Sequence, residues 1–413
     1  MNKKKILIIS DHALYPSGVG VQSRLLIEGL LSTNKFTIIQ LGAAVKHASM
    51  ENIKVKEDFY IKPIEGFGNE NLIRSILLNE KPEAMIIFSD PRFFEYLFKI
   101  EDEIHQVCPI VWWHVWDNNP YPDFNKVAYD SVDLINCLSY LTYDILSKNY
   151  NPEKVFYIPH SYPTDMFFKF NNETILKEKI KILGIENKDA FVCLWVNRNI
   201  KRKRPNDLIK SWAMFLDKVS EEQRKKCILL MHTNPDDIHG YNLRNVIEYF
   251  KLEENIFLST STINLELLNT LYNISDFTIN ISFNEGFGLT TLESIMTQTP
   301  IIAVKTGGLT RQIVDYRDNT VNGIDIDIDF TTVVGNQKIS YLNEDYASCE
   351  SISNGILKAF NMEIEEKSML GKKAYDYSLY EFNYKNCIKA WENSLLDVIR
   401  KFNDKQKIKV LTC

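Results

Sequence analysis

The chain is dominated by short β-branched apolar runs that alternate with longer stretches of helical periodicity, from one end of the sequence to the other. Apolar runs without polar alternation are what strands buried on both faces need, and their alternation with helices gives a parallel sheet covered on two sides. A first series of predicted strands comprises Ile6 to Ile9, Phe36 to Leu41, Ala84 to Phe88, Ile110 to Trp113, Leu134 to Leu138 and Val155 to Ile158. A Lys-rich polar stretch near 171–188 separates it from a second series at Phe191 to Val196, Ile228 to Met231, Phe277 to Ile281 and Ile301 to Val304. A chain of 413 residues with this pattern is expected to form two α/β domains, 1–170 and 171–378. The remaining segment, 379–413, carries the amphipathic stretch Tyr380 to Arg400, a candidate for crossing back to the first domain.

Composition narrows the classes of function. The formal net charge of -6 excludes a chain coated in positive charge for non-specific nucleic-acid binding. The seven cysteines form no C-x-x-C pair and no Cys/His spacing of the kind zinc sites use, so buried thiols in a reducing compartment are expected. The apolar run Ile6 to Ile9 is too short for a signal-peptide core, and no stretch approaches the ~18 apolar residues of a membrane span. A cytoplasmic location is the resulting expectation.

Three segments concentrate chemistry where strands end and helices begin. In Asn284-Glu285-Gly286-Phe287-Gly288-Leu289-Thr290-Thr291-Leu292-Glu293, two carboxylates flank a glycine turn. Glu285 falls on the loop at the carboxyl end of a strand, where open α/β sheets bind ligands, and Glu293 falls inside the next helix. Gly286 and Gly288 let backbone approach a ligand, and the helix start offers N–H groups to phosphate. The bland alternative makes Glu285 a helix cap and Glu293 a solvated charge. In the second segment, Asn197 to Arg204, Arg198 and Lys201 to Arg204 crowd a loop ahead of Pro205, which suits the first turn of a helix. Fixed cations there would stabilise a departing diphosphate, although most such runs are solvated loops. The third segment, Ser10 to Gly20, ends in Gly18-Val19-Gly20 before a helical pattern. Ser23 stands where a dinucleotide fingerprint needs its third glycine, so the motif is incomplete.

With these residues in family order, the sequence resembles glycosyltransferase family 4, retaining enzymes of the GT-B fold. Glu285 to Glu293 matches the family's E-x7-E motif, Arg198 and Lys203 its diphosphate-binding pair, and Gly18-Val19-Gly20 its amino-terminal glycine turn. Ile158-Pro159-His160 through Asp165-Met166-Phe167 matches its inter-domain signature. The resemblance implies two Rossmann-like doubly wound domains facing a central cleft, the amino-terminal one on the acceptor side and the carboxyl-terminal one binding the nucleotide sugar. It implies transfer from a nucleotide diphosphate-sugar to an acceptor hydroxyl with retention, without a metal or other cofactor. Glu285 would contact donor sugar hydroxyls and Glu293 the ribose. Arg198 and Lys203 would hold the diphosphate, with backbone near Gly18, Gly20, Gly286, Phe287, Gly288, Leu289 and Thr290 lining the donor site. His114, in Trp112-Trp113-His114-Val115-Trp116, would stand near the reacting centre, the alternative being a histidine packed among tryptophans.

The sequence also departs from that pattern. Ser161-Tyr162-Pro163 replaces the usual glycine of the inter-domain signature, Pro205 follows Arg204 where relatives carry Lys-Gly, and 331–350 reads as an insertion. Asp325-Ile326-Asp327-Ile328-Asp329 mimics a D-x-D metal motif, but strict alternation suits a strand with an acidic face. The acceptor stays open among glycan, lipid-linked, small-molecule and protein. The region through Asn361-Met362 also resembles transferases of large DNA phages, some of which glycosylate hydroxymethylated pyrimidines in DNA. A nucleotide-sugar epimerase and a non-catalytic sugar-nucleotide-binding module are the remaining readings.

Overall fold

A computed structural model describes residues 3–411. Within them the chain divides into two compact units. The first runs through Ser161 and takes up Gly335–Leu342 and the stretch from Tyr384 onward; the second holds Tyr162–Val334 and Asn343–Asn383.

The first unit is built on eight strands: β1 (Lys4–Asp11), β2 (Phe36–Ala43), β3 (Ile53–Lys56), β4 (Phe59–Pro63), β5 (Ala84–Phe88), β6 (Ile110–His114), β7 (Leu134–Cys137) and β8 (Val155–Tyr157). They lie in the order β3-β4-β2-β1-β5-β6-β7-β8, parallel except for β3 against β4. β5 and β6 are buried along their whole length, which is why the sequence there shows no polar alternation. The long terminal helix, Tyr384–Leu411, belongs to this unit and packs on helix Gly18–Ser32. Gly29 makes that approach possible: a β-carbon there would lie 2.2 Å from Ile388 Cδ1. Trp391, fully buried, meets Trp113 edge-on at 5.1 Å, and Tyr384 donates to the Leu25 carbonyl at 2.7 Å.

The second unit carries β9 (Phe191–Val196), β10 (Cys227–His232), β11 (Ile256–Ser259), β12 (Phe277–Asn280), β13 (Ile301–Val304), a small β14 (Val314–Asp315) and β15 (Thr320–Val321) pair, and β16 (Gly323–Ile326). The main sheet runs β11-β10-β9-β12-β13-β16, all parallel. Trp195, Trp212, Phe215, Leu229 and Ile279 anchor its core. Helix starts are fixed by side-chain caps, as where Asn264 accepts from the Leu267 amide at 2.9 Å. The 331–350 segment folds as β17 (Phe330–Val334) and β18 (Leu342–Tyr346), a separate two-stranded sheet. The compact units change over at Ser161/Tyr162 and Asn383/Tyr384, ahead of the 170/171 division and beyond the 378/379 division expected from sequence. The two stretches touch there, since Tyr162 and Asn383 form an isolated parallel bridge.

The acidic alternation at 325–329 is already engaged. Lys305 reaches Asp325 at 2.9 Å and Asp327 at 3.2 Å, while Asp329 accepts from the Ser348 amide at 2.6 Å. Among the described residues no cluster of three His, Cys, Asp or Glu side chains has the arrangement of a metal site. The six described cysteines are free thiols, and among the described residues no helix is long and apolar enough to cross a membrane.

Candidate functional site

In the second sheet the strand order reverses between β9 and β12, and the loops that follow these two neighbours must emerge side by side. One is Asn197 to Arg204, the other Ile281 to Gly288. Backbone joins them, the Phe283 amide donating to the Arg202 carbonyl at 3.1 Å. Arg202 then donates to the Asn284 carbonyl at 2.8 Å and lies 3.3 Å from the Glu285 carboxylate. Lys203 forms a direct ion pair with the same carboxylate, and Ser282 donates to it at 3.2 Å. Burial alone would raise the pKa of Glu285, but the adjacent Arg202 and Lys203 overcome that and hold it at about 2. The result is an enclosed, ionised carboxylate with two cations, a set of opposite charges that hydroxyls and phosphates can enter by exchange.

The glycine turn beyond Glu285 is held from behind. Gly288 has φ +91°, and a β-carbon there would lie 2.4 Å from Leu309 Cδ2. The side chain of Gln312 donates to the carbonyls of Phe287 and Gly288 at 2.7 and 3.1 Å, and Thr291 donates to the Gly288 carbonyl at 2.6 Å. A β-carbon on Gly308 would lie 2.4 Å from the Gly286 carbonyl oxygen, so the Gly307-Gly308 turn is what lets the two loops touch. Leu289 and Thr290 then open helix Leu289–Met296 half-exposed, with Phe287 buried edge-on against Phe382.

Glu293 does not share this charge cluster. It is buried with its two oxygens capped by tyrosines, Tyr162 Oη donating at 2.5 Å and Tyr272 Oη at 2.6 Å. Burial pushes its pKa up while those hydroxyls pull the other way. Arg198 turns outward: it is exposed and pairs with Asp237 through two contacts of 2.7 and 3.3 Å. Arg204 sits at φ +55° just before Pro205, which opens helix Pro205–Leu216, and its guanidinium lies near the faces of Phe283 and Tyr346.

In the first unit the Gly18-Val19-Gly20 turn starts helix Gly18–Ser32. The Gly20 amide is already committed, donating to Ser17 Oγ at 3.0 Å, and a β-carbon there would lie 2.6 Å from the Tyr15 carbonyl oxygen. Gly20 therefore serves tight packing of the turn. His114 lies deeper in the same unit. It is fully enclosed at the end of β6, 4.2 Å from Trp112 between ring centres, with Nε2 3.1 Å from Tyr129 Oη. Burial lowers its pKa to about 3. The ring is packed against Trp112 and Tyr129 with no exposed surface.

Several supports escaped the sequence reading: Arg202 as a second partner of Glu285, Tyr162 and Tyr272 on Glu293, and Gln312 with Gly307-Gly308 behind the turn. Only the Gly-Gly pair directly after a strand carried a local signal.

The Glycosyl transferases group 1 family model matches residues 177–329, the segment that includes Lys203, Glu285 and Glu293. A trehalose synthase of Thermococcus litoralis is 24% identical over 212 residues, half of each chain, so the chain spans about half the length of that curated relative. Among solved structures, a glycosyltransferase from Rickettsia africae superposes with a TM-score of 0.71 at 18% identity, covering 97% of this chain and 99% of its own. Anabaena HepE in complex with UDP and glucose gives 0.66 at 12% identity, covering 95% of this chain and 100% of its own. The fold of the chain is GT-B.

Proposed function

We propose that this chain is a retaining glycosyltransferase that moves a sugar from a nucleotide diphosphate donor to an acceptor hydroxyl without needing a metal. The observation that carries the reading is the buried Glu285 carboxylate with Lys203 and Arg202 at the β9/β12 reversal, inside the segment that matches the group 1 family. Open sheets of this kind bind ligands at that point. Glu285 positions donor sugar hydroxyls, and Lys203 and Arg198 take the diphosphate, with Arg202 completing the charge set. The turn from Gly286 to Thr290 offers its backbone to the same ligand. Glu293 receives the ribose hydroxyls in exchange for one of its tyrosine partners. Cations fixed where leaving-group charge grows lower the barrier more than they stabilise bound donor. A leaving-group phosphate oxygen takes the acceptor proton, so His114 is not required at the reacting centre.

A UDP-sugar is the first donor to try, because a structural neighbour holds UDP. The test is thermal unfolding of wild type and Glu293→Ala with UDP-, GDP- and ADP-glucose, since a ligand at one hundred times Kd stabilises the folded state by about 2.7 kcal/mol. One donor is expected to raise the wild-type Tm and leave the variant unmoved. No shift with any donor at saturating concentration would sink the proposal. Release of free nucleotide without acceptor dependence, together with an epimerised sugar, would convert it to an epimerase.

A further inference from the structure

A second concave site lies in the first unit, at the carboxyl ends of β1 and β2. These strands pair in parallel with Asp11 opposite Ala43, so the loops His12 to Tyr15 and Ala44 to His47 leave the sheet together. They border an open cavity of about 490 Å³ lined by His12, Leu14, Tyr15, Lys46 and His47 among others. That volume lies in the ~300–1,000 Å³ range of small-molecule sites. The lining contains two imidazoles and an ammonium but no carboxylate.

The orientation of both rings is fixed by backbone. The Leu14 amide donates to His12 Nδ1 at 3.2 Å, so the neutral ring of His12 keeps its proton on Nε2. His47 Nε2 lies 2.8 Å from the Gly42 carbonyl, to which it must be the donor. The rings stand 5.4 Å apart, and Gly42 makes room for them: a β-carbon there would lie 2.7 Å from His12 Cδ2. Ala44, at φ +64°, turns the second loop through the left-handed region that side chains other than glycine rarely adopt. Lys46 pairs with no carboxylate among the described residues, although this chain satisfies many of its other lysines in that way. Burial lowers the pKa of His12, and the neighbouring His47 lowers it further. Lys46 is exposed, so its ammonium, beside two oriented imidazoles, is open to an anion from solvent.

We infer that this cavity recognises the phosphoryl group of a small phosphorylated polyol, and that this molecule is the acceptor. Three donors, His12 Nε2–H, the Lys46 ammonium and the Tyr15 hydroxyl, match the three terminal oxygens of a phosphomonoester, with the His47 ring beside them. The word acceptor rests on the transferase reading; recognition of the phosphoryl group does not.

The test is titration of the full chain, labelled with ¹³C in its seven histidines, with glucose 6-phosphate, glucose and glucuronate, following the ring Cε1–H signals. Glucose 6-phosphate is expected to shift the His12 and His47 signals saturably and glucose to leave them in place. Lys46→Ala should weaken glucose 6-phosphate at least about tenfold, the scale of one charge-assisted hydrogen bond, while Lys46→Arg retains most of the affinity. Equal shifts with glucose and glucose 6-phosphate, no saturable shift, or an unchanged Kd in Lys46→Ala would overturn the site. Glucuronate binding as tightly as glucose 6-phosphate would overturn the phosphoryl assignment. Failure of every donor to bind, with glucose 6-phosphate still shifting His12, would overturn the transferase reading and leave the anion site standing.

Discussion

Glu285 makes the most specific claims about single residues. Its folded pKa of about 2 lies below its ordinary value of 4.5, so its ionised form contributes stability that is present above the ordinary value and lost as pH falls toward 2. Glu285→Gln removes the partner of a buried lysine, and a loss of roughly 3 kcal/mol is expected at pH 7. Urea unfolding should show the gap to wild type narrowing between pH 5 and 3; a gap independent of pH would mean the carboxylate is not the ionised partner of Lys203. Glu293 has the opposite sign. Its pKa is raised, so its contribution is complete below the ordinary value and declines as pH rises. Glu293→Gln should therefore gain on wild type as pH goes from 4 to 7, measured by Tm in both buffers. Arg198→Ala should lower turnover by ~10² to 10³, as for loss of a transition-state charge stabiliser. Asp237→Asn, which frees Arg198 from its present partner, should tighten UDP by a few-fold in calorimetry. Unchanged affinity there would place Arg198 outside the diphosphate contacts.

At the scale of elements, most strands that sequence revealed are buried nearly throughout, because burial writes an uninterrupted apolar run; β8 is the exception, with Phe156 exposed. β3, Ile53–Lys56, is mostly exposed, and β17 and β18 are mostly exposed or half-buried, so nothing in their composition separates them from loop. β4 alternates buried and half-buried positions and β11 has a single buried residue, so neither writes a continuous apolar run. The candidate site was legible as charge at strand ends, since Lys203 and Glu285 each follow a clear apolar run. Which cation of the 198–204 loop turns inward was not, because Arg198 and Arg202 differ only in backbone direction. Nor was the role of Tyr162, more than a hundred residues from Glu293, for which no local pattern exists. The supposed insertion turned out to be stitched to the site: the Asp345 amide donates to the Phe283 carbonyl at 2.8 Å, and Thr306 donates to the Asp345 carboxylate at 2.7 Å. Replacing Gly288 by alanine, which forces a β-carbon into the left-handed region, should cost ~1–2 kcal/mol and loosen the turn. The check is donor Kd beside Tm; an unaltered Kd would show that the turn does not shape the donor site.

At the scale of the molecule, the first unit is not one stretch of chain. It needs the helix from Tyr384 onward, which brings Trp391 against Trp113 and Ile388 against Gly29. More than two hundred residues, those of the second unit and the 335–342 excursion, come between Ser161 and that helix. At a synthesis rate of ~5–20 residues per second, the ribosome finishes the first eight strands roughly ten seconds or more before the helix that seals them emerges. Through that interval Trp113 and the Gly29 face of the first helix have no cover of their own. The nascent first unit must wait for the second to be made, and a chaperone that meets this chain during translation has a defined apolar seam to hold.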